Sequence, residues 1–179
     1  MIYKGIFHVR NLFAAAFFLV AFLPFMANAQ QDLERYSEIT ARASAQNVVD
    51  GETITIATEI NMADHWHVYW KNPGDSGLPV QIEWDLPAGF EIGDIQWPTP
   101  DKISYDILVN YGYYDRVVLL QDLSVPETIG DSPVTISGTV NILICHEICI
   151  PESSDISITL NITYLKSCGQ IPFNLYGQT

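Results

Sequence analysis

Residues 132–160 read SPVTISGTVNILICHEICIPESSDISITL, and the way this stretch is parsed decides the fold. Val134, Ile136, Val140, Ile142 and Ile144 recur every second or fourth position before Cys145. Ile156, Ile158 and Leu160 alternate with polar residues after Pro151. A period of two is that of a half-buried strand. Between the two runs lie Cys145 and Cys149, four positions apart. If residues 145–149 continued one strand, their Cα atoms would lie about 13 Å apart at ~3.3 Å per step, whereas a disulfide needs ~4.4–6.8 Å. A bridged pair therefore requires the chain to turn within His146-Glu147-Ile148, through one helical turn or a tight loop. On this reading NILI ends one strand, CHEIC turns, and IPESSD leads into the last strand. Pro151 fits where no ladder N–H is needed. Spacing alone leaves a loop staple, a metal site and a redox couple open, although a bond closing so short a loop removes little chain entropy.

Upstream, ETITIATEI alternates Ile54, Ile56 and Ile60 with polar neighbours. HWHVYWK, VQIEWDL, FEIGDIQW and YDRVVLLQDLSV are further strand candidates. Asp50-Gly51 is a hairpin signal, and NPGDSGLP reads as a long turn. The segment contains no convincing amphipathic helix. About eight short strands between turns predict an all-β, immunoglobulin-like β-sandwich.

The N-terminus sets the expected compartment. Lys4 and Arg10 precede an apolar run from Leu12 to Met26, followed by Ala27-Asn28-Ala29. This is the layout of a cleavable signal peptide, residues 1–29, and the run is shorter than the ~20 residues of a spanning helix. Removing it takes the formal charge from −13 to −15, since it carries two cations and no acid. The remaining 150 residues, Gln30 to Thr179, suffice for one domain with a real core. Acidity disfavours nucleic acid and anionic membrane surfaces as partners, and no membrane insertion of the mature chain is expected. Close cysteines can stay oxidised outside the cytosol. Cys168 is the odd one out, in a stretch without alternation, and residues 167–179 read as a disordered tail beyond a domain spanning 30–166.

Other side chains invite rival readings. His65, His67, His146, Met62 and the cysteines are soft or imidazole donors that suit copper or zinc. His65 and His67, two apart on a strand, share one face, but among aromatics an ordinary strand face is the simpler reading. Trp66, Trp70, Trp84 and Trp97 are more readily core and cross-strand packing than a sugar platform. A structural sandwich that binds another protein by an edge strand is a further alternative.

DHWHVYWKNPGDSGLPVQIEW, LPAGFEIGDIQWPTPDKI, LVNYGYYDRVVLL and CHEICIPE occur in that order. Together, across Ser37 to Ile162, they resemble the N-terminal periplasmic domain of the DsbD/ScsB thiol:disulfide interchange proteins, most nearly the ScsB-like branch linked to copper tolerance. The resemblance implies a periplasmic, immunoglobulin-like sandwich with a redox-active pair at one end, here Cys145 and Cys149. Cys149 would form the mixed disulfide and Cys145 would resolve it. It implies a cap over the pair within Val109–Tyr113, with Asn110, Tyr111 and Gly112 at its centre, and a shielding aromatic at Tyr69. It implies no metal and no organic cofactor. The implied partners are a thioredoxin-like electron donor domain and oxidised periplasmic thioredoxin-fold proteins, a traffic that in such proteins extends to cytochrome c biogenesis. The family's membrane region and thioredoxin-like domain have no counterpart in these 179 residues, which leaves two expectations: a fragment of a longer gene, or a stand-alone domain whose partners are encoded elsewhere.

Overall fold

The computed structural model describes residues 34–127 and 133–163. The expected signal peptide, the tail and Cys168 lie outside the described residues. The chain there is all-β, in eleven strands: β1 (Ser37–Ala43), β2 (Asn47–Val49), β3 (Thr53–Met62), β4 (His67–Gly74), β5 (Gln81–Asp85), β6 (Glu91–Ile92), β7 (Asp101–Tyr105), β8 (Leu108–Tyr114), β9 (Arg116–Ser124), β10 (Val134–Cys145) and β11 (Cys149–Thr163). One sheet runs β1-β3-β9-β6. The other runs β2-β11-β10-β4-β8-β7, with β5 also paired to β10. All strand pairs are antiparallel except β11 with β2.

The alternation seen in the sequence is what closes the sandwich. Ile54, Ile56 and Leu123 from the first sheet meet Ile136, Ile158, Leu160 and Ile162 from the second. Further along, Ile60, Val117 and Leu119 meet Val68, Val140, Ile142, Ile144 and Ile156. Each such side chain contributes about 1.5–3 kcal/mol on burial, which offsets the ordering of a chain with almost no local structure. A polar tie crosses the same interior: Trp84 Nε1 donates to Gln121 Oε1 at 3.0 Å, and Gln121 Nε2 donates to the Gly93 carbonyl at 2.9 Å. At the site end, Glu152 of β11 accepts from the Tyr36 amide (2.7 Å) and from Ser37 Oγ (2.6 Å), joining the second sheet to the start of β1.

Three local expectations are corrected. Asp50-Gly51 does turn, with the Glu52 amide donating to the Val49 carbonyl at 3.1 Å. It does not make a hairpin, because β2 pairs with β11 while β3 pairs with β1 and β9. Burying Val48 on one sheet and Ile54 on the other outweighs local pairing. His65 is not on a strand. It occupies a left-handed position (φ 70°) in the turn closed by the Trp66 amide on the Ala63 carbonyl. The segment expected as a cap loop, Val109–Tyr113, is continuous strand β8 between β4 and β7. Gly112 is what lets it approach: a Cβ there would sit 2.1 Å from the Val68 carbonyl oxygen.

Candidate functional site

The β10–β11 hairpin runs the length of its sheet in unbroken register from Val134↔Leu160 to Cys145↔Cys149. The two cysteines are therefore the last opposed pair, and His146-Glu147-Ile148 is the loop beyond them. Of the two turns the spacing allows, the tight loop is the one formed. The cysteines are joined by a disulfide, with Cα atoms 4.1 Å apart. Their surroundings differ. Cys145 is flanked by β11 on one side and by His67 of β4 on the other, and is 2% exposed. Cys149 starts β11 where that strand has no second strand neighbour among the described residues, since β2 joins only at Asn161–Thr163, and it is exposed. Pro151 lies on this same open stretch, opposite Leu143, where a missing N–H costs no ladder bond.

Tyr69, on β4, reaches the pair from below. It is 3% exposed, and its hydroxyl donates to Cys145 Sγ at 3.1 Å and lies 3.9 Å from Cys149 Sγ. Burial, and then the neighbouring Tyr114, push its pKa up, so the hydroxyl keeps its proton. The ring rests on Gly77, where a Cβ would be 2.3 Å from Cε1. His67, two residues earlier and on the same face, places Nε2 3.4 Å from the Tyr69 oxygen. It is buried and packs edge-on against both Tyr69 and Tyr114. Desolvation, and then the nearby His146, lower its pKa.

A cavity of about 290 Å³ opens beside the disulfide, walled by Tyr69, both cysteines, the three histidines 65, 67 and 146, and the β7–β8 hairpin. Asn110 lines it and is held from behind: the Ser76 amide donates to Asn110 Oδ1 at 3.0 Å, and Asn110 Nδ2 donates to Ser76 Oγ at 2.9 Å. Tyr111 is not in this wall. Its ring stands edge-on to Trp70 with centroids 6.4 Å apart, and Gly112 faces Tyr69 only through the backbone register. Tyr105 and Leu108, at the hairpin turn, are in the wall instead. That turn went unseen in the sequence because Asp106-Ile107 carries no glycine. Asp106 itself adopts the left-handed conformation (φ 54°), which aspartate tolerates. Ile107, 85% exposed, and Ile148, 64% exposed, stand as apolar side chains at the tips of the two hairpins. Among the described residues no group of three or more His, Cys, Asp and Glu is arranged to hold an ion.

The fold and site thus define a two-sheet β-sandwich with a disulfide at a hairpin tip, one cysteine buried and the other exposed. The chain belongs to the family described as thiol:disulfide interchange protein DsbD, N-terminal, whose model matches residues 37–161. Among solved structures it is similar to the N-terminal periplasmic domain of ScsB from Proteus mirabilis, with a TM-score of 0.55 and 22% identity, over 71% of this chain and 47% of that one. The chain thus spans about half of that structure. It also matches the DsbD N-terminal domain of Neisseria meningitidis in its reduced form (TM-score 0.43, 13% identity, 69% of this chain and 85% of that one). A third match is BcpA, the major pilin subunit of Bacillus cereus (TM-score 0.43, 9% identity, 71% and 40%). No curated protein matches the chain significantly.

Proposed function

We propose that this domain passes reducing equivalents in the periplasm by thiol–disulfide exchange at Cys145 and Cys149. It accepts them from a thioredoxin-like donor and hands them to oxidised thioredoxin-fold proteins. Residues 1–29 act as the export signal, and the ScsB-like branch, with its link to copper tolerance, is the nearer functional relative. The observation that carries this reading is the asymmetry of the pair: exposed Cys149 is the sulfur an incoming thiolate can reach, and buried Cys145 is the sulfur left to resolve. A structural staple needs neither the exposure nor the adjoining cavity. Exchange requires an attacking thiolate, an accessible sulfur and a leaving sulfur, and the last two are present here. Ile107 and Ile148 are exposed at the tips of the two hairpins, and an apolar partner surface would cover them.

The test is a redox titration of the mature chain in glutathione buffers, read by thiol alkylation, together with trapping of partners. Cys145→Ser should leave Cys149 unable to resolve and so accumulate a mixed disulfide with a thioredoxin-fold protein, while Cys149→Ser accumulates far less. A bond that stays closed across the glutathione range, with no trapped complex in either variant, leaves only the staple.

A further inference from the structure

Exchange at Cys149 demands that Cys145 leave as a thiolate into the least solvated part of the site. Burial among apolar groups disfavours a thiolate and makes it a poorer leaving group. Two polar groups face that sulfur's surroundings from β4. The Tyr69 hydroxyl donates to Cys145 Sγ at 3.1 Å, and His67 Nε2 lies 3.4 Å from the Tyr69 oxygen. A hydroxyl has one proton. If it is committed to the sulfur, the contact with His67 is satisfied only when Nε2 carries a hydrogen and donates to the oxygen. The order of donation is then fixed as His67 Nε2–H to Tyr69 O–H to Cys145 Sγ.

We propose that the Tyr69 hydroxyl is a catalytic hydrogen-bond donor to the departing Cys145 thiolate, and that His67 is a positioning residue that keeps this hydroxyl on the sulfur. This rests on the interchange reading above. In the step concerned, the thiolate of an incoming thiol forms a bond to Cys149 Sγ and the Cys149–Cys145 bond breaks. Its electron pair passes to Cys145 Sγ. The partner sulfur is oxidised into the mixed disulfide, Cys145 is reduced to thiolate, and no proton is transferred. The donor is already aimed where charge develops, so no reorganisation is needed at that moment. Other ionisable groups around His67 are Tyr114 from β8, His146 and Glu147 from the hairpin loop, and His65 from the preceding turn. Burial and the nearby His146 both hold His67 in its neutral form, so it acts through its N–H and not through charge.

The experiment uses the full mature chain with Cys168→Ser, so that only the pair reports. Reduction by glutathione at neutral pH is followed in the parent, Tyr69→Phe, His67→Ala and His67→Gln. Tyr69→Phe keeps the ring on Gly77 and should slow reduction about tenfold, the order expected for losing a hydrogen bond to a charged sulfur. His67→Ala should slow it several-fold, and His67→Gln, which restores an N–H donor, should recover most of the rate. In a Cys149→Ser background, thiolate absorbance against pH should show the Cys145 midpoint about one unit higher in Tyr69→Phe. Near-UV circular dichroism establishes that each variant is folded. Rates within twofold of the parent and an unmoved thiolate midpoint in Tyr69→Phe would overturn the proposal while leaving interchange intact. A His67→Gln chain as slow as His67→Ala would remove His67 from it. A parent bond that glutathione does not open at all would overturn both the proposal and the interchange reading.

Discussion

Gly77→Ala tests the packing that places Tyr69 on the sulfur. Gly77 has φ +94°, and an added Cβ would lie 2.3, 2.4 and 2.6 Å from three carbons of the Tyr69 ring. Ordinary contact begins near 3.4 Å, so the ring must retreat by about 1 Å. Its hydroxyl, now 3.1 Å from Cys145 Sγ, would move out of hydrogen-bond range in doing so. The ring is 3% exposed. Overpacking of this kind costs about 1–3 kcal/mol, and an L-residue held at positive φ costs a further ~1–2 kcal/mol. Urea unfolding of the oxidised mature chain should therefore show a loss of about 2–5 kcal/mol. The two causes separate in a double-mutant cycle. With Tyr69→Ala the obstacle is gone, and Gly77→Ala should then cost only the backbone part, about 1–2 kcal/mol. An equal cost in both backgrounds would refute the claim that Gly77 exists to seat the ring. A cost below about 0.5 kcal/mol, the range of neutral surface changes, would refute both parts.

Acid should act through Glu59, whose carboxylate takes Arg116 Nε at 2.6 Å on Oε1 and Arg42 on Oε2. The hydrogen bond from Arg116 is the main cause that lowers its pKa from 4.5 to about 2. The folded state thus binds fewer protons than the unfolded one, and the stabilisation is full above about pH 4.5 and lost as pH falls toward 2. Glu59→Gln should be less stable at neutral pH and flatter across that window in urea midpoints; parallel curves would argue against it. Shielding of the reduced pair, expected from the resemblance at Tyr111, should instead fall to Tyr105 and Leu108. Leu108→Ala should speed reaction of the reduced thiols with a small oxidant several-fold, while Tyr111→Ala leaves it within twofold, and the reverse order would return the cap to Tyr111.

What the residues alone determined follows from rules that depend on near neighbours. Period-two alternation needs only that one sheet face be wet and the other dry, so Ile54–Ile60, Val134–Ile144 and Ile156–Leu160 announced a sandwich by themselves. The disulfide's demand for a turn within three residues is likewise covalent geometry, and it placed the hairpin tip correctly. Tertiary structure decided what local rules leave degenerate. A turn at Asp50-Gly51 can continue one sheet or change sheets, and only burial of Val48 against β11 settled which. Whether Cys145 or Cys149 is the open sulfur depends on which strand of the hairpin gains a second neighbour. That is set by the Cys145↔His67 pairing across 78 positions of chain. Tyr69 reaches the sulfur across a similar span, and its hydroxyl sits there because the sheet brings β4 beside β10 and Gly77 leaves room for the ring. A side chain's type can be read one residue at a time, but the partner it meets at 3 Å is chosen by the packing of the whole sheet.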